Sequence, residues 1–193
     1  MADRLVVGLH SWIIQDGNYG DFARGTDAAF ALEFYAGSSL EALEPAASAL
    51  APSLTRVGDA TYEVIGRVAY VAEDWWVIDA GVLAYQEEVP PANVRQGNWL
   101  RGKVGIGIDP FFYFERLGHQ PGAPALIYDW RIEKIDIQAA PFIEVEPRKF
   151  ERDPAKLGWK EIDKTDAWED YGEYLLHCVR VAGPRLPKSK RQP

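Results

Sequence analysis

TYEVIGRVAYVAEDWWVIDAG, residues 61–81, changes face with every residue until a tryptophan pair interrupts it. Tyr62, Val64, Gly66, Val68 and Tyr70 fall on one side of an extended chain, with Glu63, Arg67 and Ala69 mostly on the other. Glu73 and Asp74 supply a polar turn. Trp75, Trp76, Val77 and Ile78 then begin a second strand, which Asp79 and the glycine at 81 bend or end. The stretch predicts a β-hairpin.

Outward from this hairpin the two-residue period recurs. Leu5, Val7, Leu9 and Ile13 alternate with Val6, His10, Trp12 and Ile14, and Asp16-Gly17 is a strong turn signal. Phe30, Leu32 and Phe34 then oppose Ala29, Ala31, Glu33 and Tyr35, which predicts an N-terminal hairpin over 5–36. Residues 37–52 are rich in alanine and small residues, with Ser38 and Glu41 at capping-box spacing. A short helix interrupted by Pro45 is expected there.

On the C-terminal side, Leu100, Gly102, Val104, Ile106 and Ile108 share a face opposite Trp99, Arg101, Lys103, Gly105 and Gly107. Glycines at 105 and 107 leave room for a ligand, another backbone or a sharp coil of the sheet. Leu126, Tyr128, Trp130 and Ile132 are followed by Ile135 and Ile137 in the opposite phase, which predicts a β-bulge near Glu133 and Lys134. Short helical turns are expected at Asp153-Pro154 and at Asp166, and a last strand at 174–181.

The chain of 193 residues, 47% hydrophobic and with seven tryptophans, fits one β-rich domain over 1–182. Its parts are the N-terminal hairpin, a barrel-like part 54–145, a charged insertion 146–170 and the last strand. Residues 183–193 form a basic tail, expected to be flexible, with Arg185, Lys188, Lys190 and Arg191 and no acid. Overall the fold class expected is mainly β, an antiparallel curled sheet or OB-like barrel with a few short peripheral helices. A net charge of −8 makes nucleic acid a poor partner. The single cysteine, Cys178, gives no disulfide or metal cluster, and its neighbours Leu176 and Val179 suggest a buried thiol. No signal peptide or membrane span is evident, so the expected location is the cytoplasm.

The order over residues 62–138 is a long strand with central Gly66, a tryptophan-rich strand, a glycine-rich third and a bulged fourth. It resembles the OB-fold, the oligonucleotide/oligosaccharide-binding barrel, with 174–181 as a fifth strand. The N-terminal strands and the acidic insertion after Phe142 depart from a minimal barrel and leave a β-sandwich open. The resemblance implies a binding face on the second and third strands carrying Trp75, Trp99, Arg101 and Lys103, where rings stack on bases or sugars; the alternative is that Trp75 and Trp99 pack into the sheet or a subunit interface.

A second polar cluster, His10, Trp12, Gln15, Asp16, Asn18 and Tyr19, surrounds the first turn as small-molecule sites often do. Asp16, Asp79, Asp109 and Asp129 stand at strand ends and, with His10, are the candidate catalytic groups; turn hydrogen bonds explain the aspartates equally. His10, His119 and His177 lack metal-binding spacing, and no phosphate loop or nucleophile elbow occurs. No metal or cofactor is expected. The function read from these features is a binding or interaction module for an unidentified ligand or protein partner. Its alternatives are a carboxylate-dependent hydrolase or lyase and single-strand nucleic-acid binding. Tryptophan and tyrosine favour interfaces, which leaves a homodimer open.

Overall fold

The computed structural model describes residues 3–36, 40–44, 50–168 and 172–188. Strand makes up 54% of the chain and helix 8%, so the mainly β expectation holds. The N-terminal third comprises β1 (Arg4–His10), α1 (Ser11–Gln15), β2 (Asp27–Phe30), β3 (Leu32–Ala36), β4 (Glu41–Leu43) and β5 (Ser53–Arg56). The predicted hairpin follows as β6 (Thr61–Val71) and β7 (Trp76–Asp79), then β8 (Leu83–Gln86), β9 (Trp99–Ile108) and α2 (Phe112–Glu115). The rest is β10 (Ile127–Ala139), β11 (Phe142–Glu146), β12 (Lys149–Arg152), β13 (Gly158–Ile162) and β14 (Glu173–Arg185). No helix is long and apolar enough to cross a membrane among the described residues.

Five strands close a barrel in the order β6-β7-β8-β3-β9, with β9 pairing back onto β6. All contacts around it are antiparallel except β3 with β8. Tyr62, Val64 and Val68 of β6, Trp76 and Ile78 of β7, and Leu100, Val104, Ile106 and Ile108 of β9 fill the interior. The sheet curls where β6 slips register between Val68 and Tyr70. It curls also because Gly66 lets β7 approach: a Cβ there would lie 2.5 Å from Cγ1 of Ile78. Gly66→Ala should therefore lower stability by about 1–3 kcal/mol, since the closed barrel leaves Ile78 nowhere to move. A urea melt checks this.

Trp75 and Val77 point the other way, into a smaller core outside the barrel, where Tyr85, Tyr113, Leu117, Leu126 and Ile127 cover them. Both faces of β7 are dry, which is why WWVI loses its alternation. A second layer continues the sheet from β9 through β1 to β14 and β10. β1 runs antiparallel to β14 and meets β9 in parallel at Gly8 and Gly107.

Several expectations are corrected. The N-terminal hairpin does not form: the chain turns helical at Ser11, whose N–H donates to the Gly172 carbonyl, and β1 finds β14 instead. The following strand divides at Ala31, with β2 pairing to β10 and β3 entering the barrel beside β9. Residues 41–43, expected as helix, are the strand β4 on β9. The rest of that expected helix, including Ser38 and Pro45, lies largely outside the described residues.

The strands read as fourth and fifth of the barrel, β10 and β14, pair with one another outside it. β3 takes the fifth place because its apolar Leu32 and Phe34 face the interior. The predicted bulge is present between Ile132 and Lys134. β14 continues past 181 to Arg185, and Pro187 packs on Gly118, so the first residues of the expected flexible tail are held against the body; residues 189–193 lie outside the described set. In the charged insertion, Asp153 caps a single helical turn at Pro154–Lys156 as expected, flanked by strands the sequence did not announce. Asp166 accepts from the Trp168 N–H in a turn. Cys178 is buried, and burial pushes its thiol pKa up.

Candidate functional site

Alternate residues of β9 face away from the barrel interior: Trp99, Arg101, Lys103, Gly105 and Gly107, with Asp109 just beyond the strand. Register with the neighbours turns this strip into rungs. Arg101 stands opposite Ile65 of β6 on one side and Glu41 of β4 on the other, and Ile65 in turn faces Ser53 of β5. Lys103 faces Glu63, which faces Thr55. These two rungs line a surface groove of about 580 Å³. Arg101 donates to Glu41 from Nε at 3.0 Å and from Nη2 at 2.9 Å. Trp99, half-buried, lies in the adjoining rung between Arg67 and Leu43.

Further along the strip the groove gives way to glycine. The room over Gly105 and Gly107 is occupied by the Tyr35 ring, whose Cε2 would lie 3.1 Å from a Cβ at position 107. Gly8, His10, Tyr35, Thr61, Gly105 and Gly107 bound a small cleft of about 160 Å³ there. One edge of Tyr35 is open to solvent while its hydroxyl turns inward and donates to Glu33 Oε2.

Glu33 and Asp109 complete the strip as a buried pair of acids. Leu32 pairs with Ile108, so Glu33 and Asp109 are diagonal neighbours on one face. The Tyr85 hydroxyl donates to Asp109 Oδ1 at 2.5 Å and the Tyr113 N–H donates to the same oxygen at 3.2 Å. Burial pushes the Glu33 carboxyl up to about 7, the Tyr35 hydrogen bond opposing and the Asp109 charge adding to it. Burial likewise raises Asp109 to about 6 against the Tyr85 hydrogen bond. Asp109 Oδ2 and the Tyr19 hydroxyl are buried without a hydrogen-bond partner. Neither acid borders the groove.

The expected residues separate. Arg101 and Lys103 line the groove and Trp99 adjoins it, but Trp75 is fully buried with its Nε1 donating to Gln120 Oε1 at 2.8 Å. It is a packing residue, because the segment over β7 and β8 covers the face expected to be open. The turn cluster also divides. Asn18 donates to both oxygens of Asp16, whereas Tyr19 packs edge-on against Phe111 and Phe114. Trp12 is exposed, and His10 Nδ1 sits 3.9 Å from Glu173 with both side chains exposed.

The four aspartates do not meet. Asp79 accepts from the Gly81 N–H, Asp129 pairs with Arg185 at 2.9 Å, and none hydrogen-bonds to another of the four or to a histidine. Among the described residues no group of three or more His, Cys, Asp or Glu could hold a metal ion.

Glu33 and the groove residues Glu41, Ser53, Thr55 and Glu63 were not singled out from sequence. For Glu33 a signal existed: it shares its strand face with Ala29 and Ala31, small residues more typical of a covered face than of an open one. The groove residues carry no such mark, since polar residues on an outward strand face are ordinary. No family model matches the chain, and neither does any curated protein or solved structure.

Proposed function

We propose that the protein is a non-catalytic binding module that takes a neutral, polar, extended ligand, such as a short oligosaccharide, along the outer face of β9. The single observation carrying this reading is the pair of in-register rungs, which sets hydroxyls, carboxylates and cations across four strands in one groove. A groove of this size suits a ligand of a few rings. Arg101 and Lys103 are balanced by Glu41 and Glu63, so it offers hydrogen bonds without net charge, and Trp99 supplies an apolar ring beside it.

An OB-like reading draws support from the strand order. With β6, β7, β8 and β9 as the first four strands and β3 as the last, the closure around the barrel follows the OB scheme, the last strand coming from the N-terminal side. The strands that OB-folds commonly use for nucleic acid correspond to β7 and β8, whose outer face is covered by Tyr113, Leu117 and Leu126. That covering and the acidic charge weigh against single-strand binding. Scattered engagement of the four strand-end aspartates weighs against the carboxylate-dependent enzyme.

Calorimetric titration with linear neutral hexasaccharides and with a ten-residue oligothymidylate tests the assignment. Binding of at least one saccharide is expected, weakened about tenfold by Lys103→Ala or Glu63→Ala through loss of one hydrogen bond to a charged group. The oligothymidylate should give no heat. Saccharide binding untouched by either substitution, or tight oligothymidylate binding, would refute the groove.

A further inference from the structure

β11 and β12 form a two-stranded sheet of their own, paired with no other strand among the described residues. A lone hairpin is marginal in water, and this one keeps large apolar side chains in the open. Phe150 is 59% exposed and Phe142 51%, with Ile143 and Val145 also exposed. Phe142 pairs with Arg152 and Glu144 with Phe150, so the two phenylalanines lie diagonally on one face. Single exposed hydrophobics need no explanation, but four on one unsupported hairpin do.

We propose that this hairpin is a self-association arm, pairing edge to edge with the β12 strand of a second copy of the chain. Charge identifies the occupant. Residues 142–152 hold Glu144, Glu146 and Glu151 against Arg148, Lys149 and Arg152, a neutral arm on a chain of net charge −8. Two acidic bodies repel one another, and a neutral arm is where that repulsion is least.

The sequence of β12 also selects one register. An antiparallel pairing with its two-fold axis at Phe150 sets Phe150 against Phe150 and Lys149 against Glu151 twice. Sliding by one residue sets Lys149 against Arg152, or sets Lys149 against Phe150 and leaves Glu151 opposite only Arg148 of the turn, so both exchanges lose the Lys149–Glu151 complement. Arg148 does not oppose Arg152 in the favoured register, because it sits in the hairpin turn with a left-handed φ of 66°. The Arg152 guanidinium is turned back, donating to the Gln138 carbonyl and lying 5.1 Å from the centre of the Phe142 ring. Lys149 and Glu151, 3.0 Å apart within one chain, both have half-exposed side chains. Charges on an edge strand usually prevent pairing; opposite charges two residues apart permit it in one arrangement only.

Sedimentation velocity across a concentration series tests the proposal with a charge exchange. The wild-type chain is expected to be dimeric. Lys149→Glu places like charges opposite each other twice and should weaken the dimer roughly tenfold or more. Lys149→Glu combined with Glu151→Lys restores opposite charges and should restore the dimer. Each variant should keep the wild-type far-ultraviolet spectrum, since both positions are exposed. A wild-type chain monomeric at all concentrations, a dimer indifferent to Lys149→Glu, or a double exchange that fails to recover it would overturn the assignment.

Discussion

Thermal stability should fall as pH rises from 5 to 8, the reverse of what salt-bridged carboxylates produce. Glu33 and Asp109 have folded-state pKa values of about 7 and about 6, raised from 4.5 and 3.8 chiefly by burial. Between the low and the raised values the folded chain still holds these protons where the unfolded chain has lost them. Unfolding therefore releases protons, and stability drops with increasing pH. At about 1.4 kcal/mol per unit, each acid removes on the order of 3 kcal/mol by pH 8.

Asp136 acts in the opposite sense and in another window. Burial works against its charge, but Lys134 and His177 hold its carboxyl below the ordinary range, so its stabilisation is lost only as pH falls below about 4. Differential scanning calorimetry at pH 5 and pH 8 checks the slope, and Glu33→Gln should flatten it. A melting temperature that is level or rises over this interval would remove the buried acid pair from the description.

Replacing Trp75 by alanine should cost about 3–5 kcal/mol, the range for deleting a large aromatic from a packed core. Its ring lies 4.7 Å from Tyr70 and within van der Waals packing of Tyr85 and Tyr113, and Gln120 would lose its donor. Trp168, 81% exposed, provides the control: its alanine variant should stay within about 0.5 kcal/mol of wild type. Urea midpoints for the two variants measure the contrast. Equal midpoints would mean that Trp75 belongs to a surface, as the OB resemblance implied.

Trp75 illustrates why part of the site was legible and part was not. Its place beside Trp76 at the start of a strand follows from a period of two, and that reading located Trp99, Arg101 and Lys103 on one outward face correctly. Whether an outward face meets water depends on what lies above it. The covering segment, α2 with Tyr113 and the turn at Leu117 that follows it, shows no two-residue period that would name its partner. Glu33 was overlooked for the same reason. Ala29 and Ala31 on its face hint at cover, but only the fold brings Asp109, Tyr35 and Tyr85 around it.

Alternation of side chains along the backbone is a local property, and by itself it determined that this chain is mainly β, where β6, β7, β9 and β10 run and where β10 bulges. Which strands pair is decided by contacts between residues far apart in the chain, and those contacts are invisible to periodicity. Only the tertiary structure showed β3 closing the barrel in place of β14, and β4 and β5 assembling the rungs around Arg101 and Lys103. A strand's own residues specify which side is oily; they do not specify which other strand will lie against its edge.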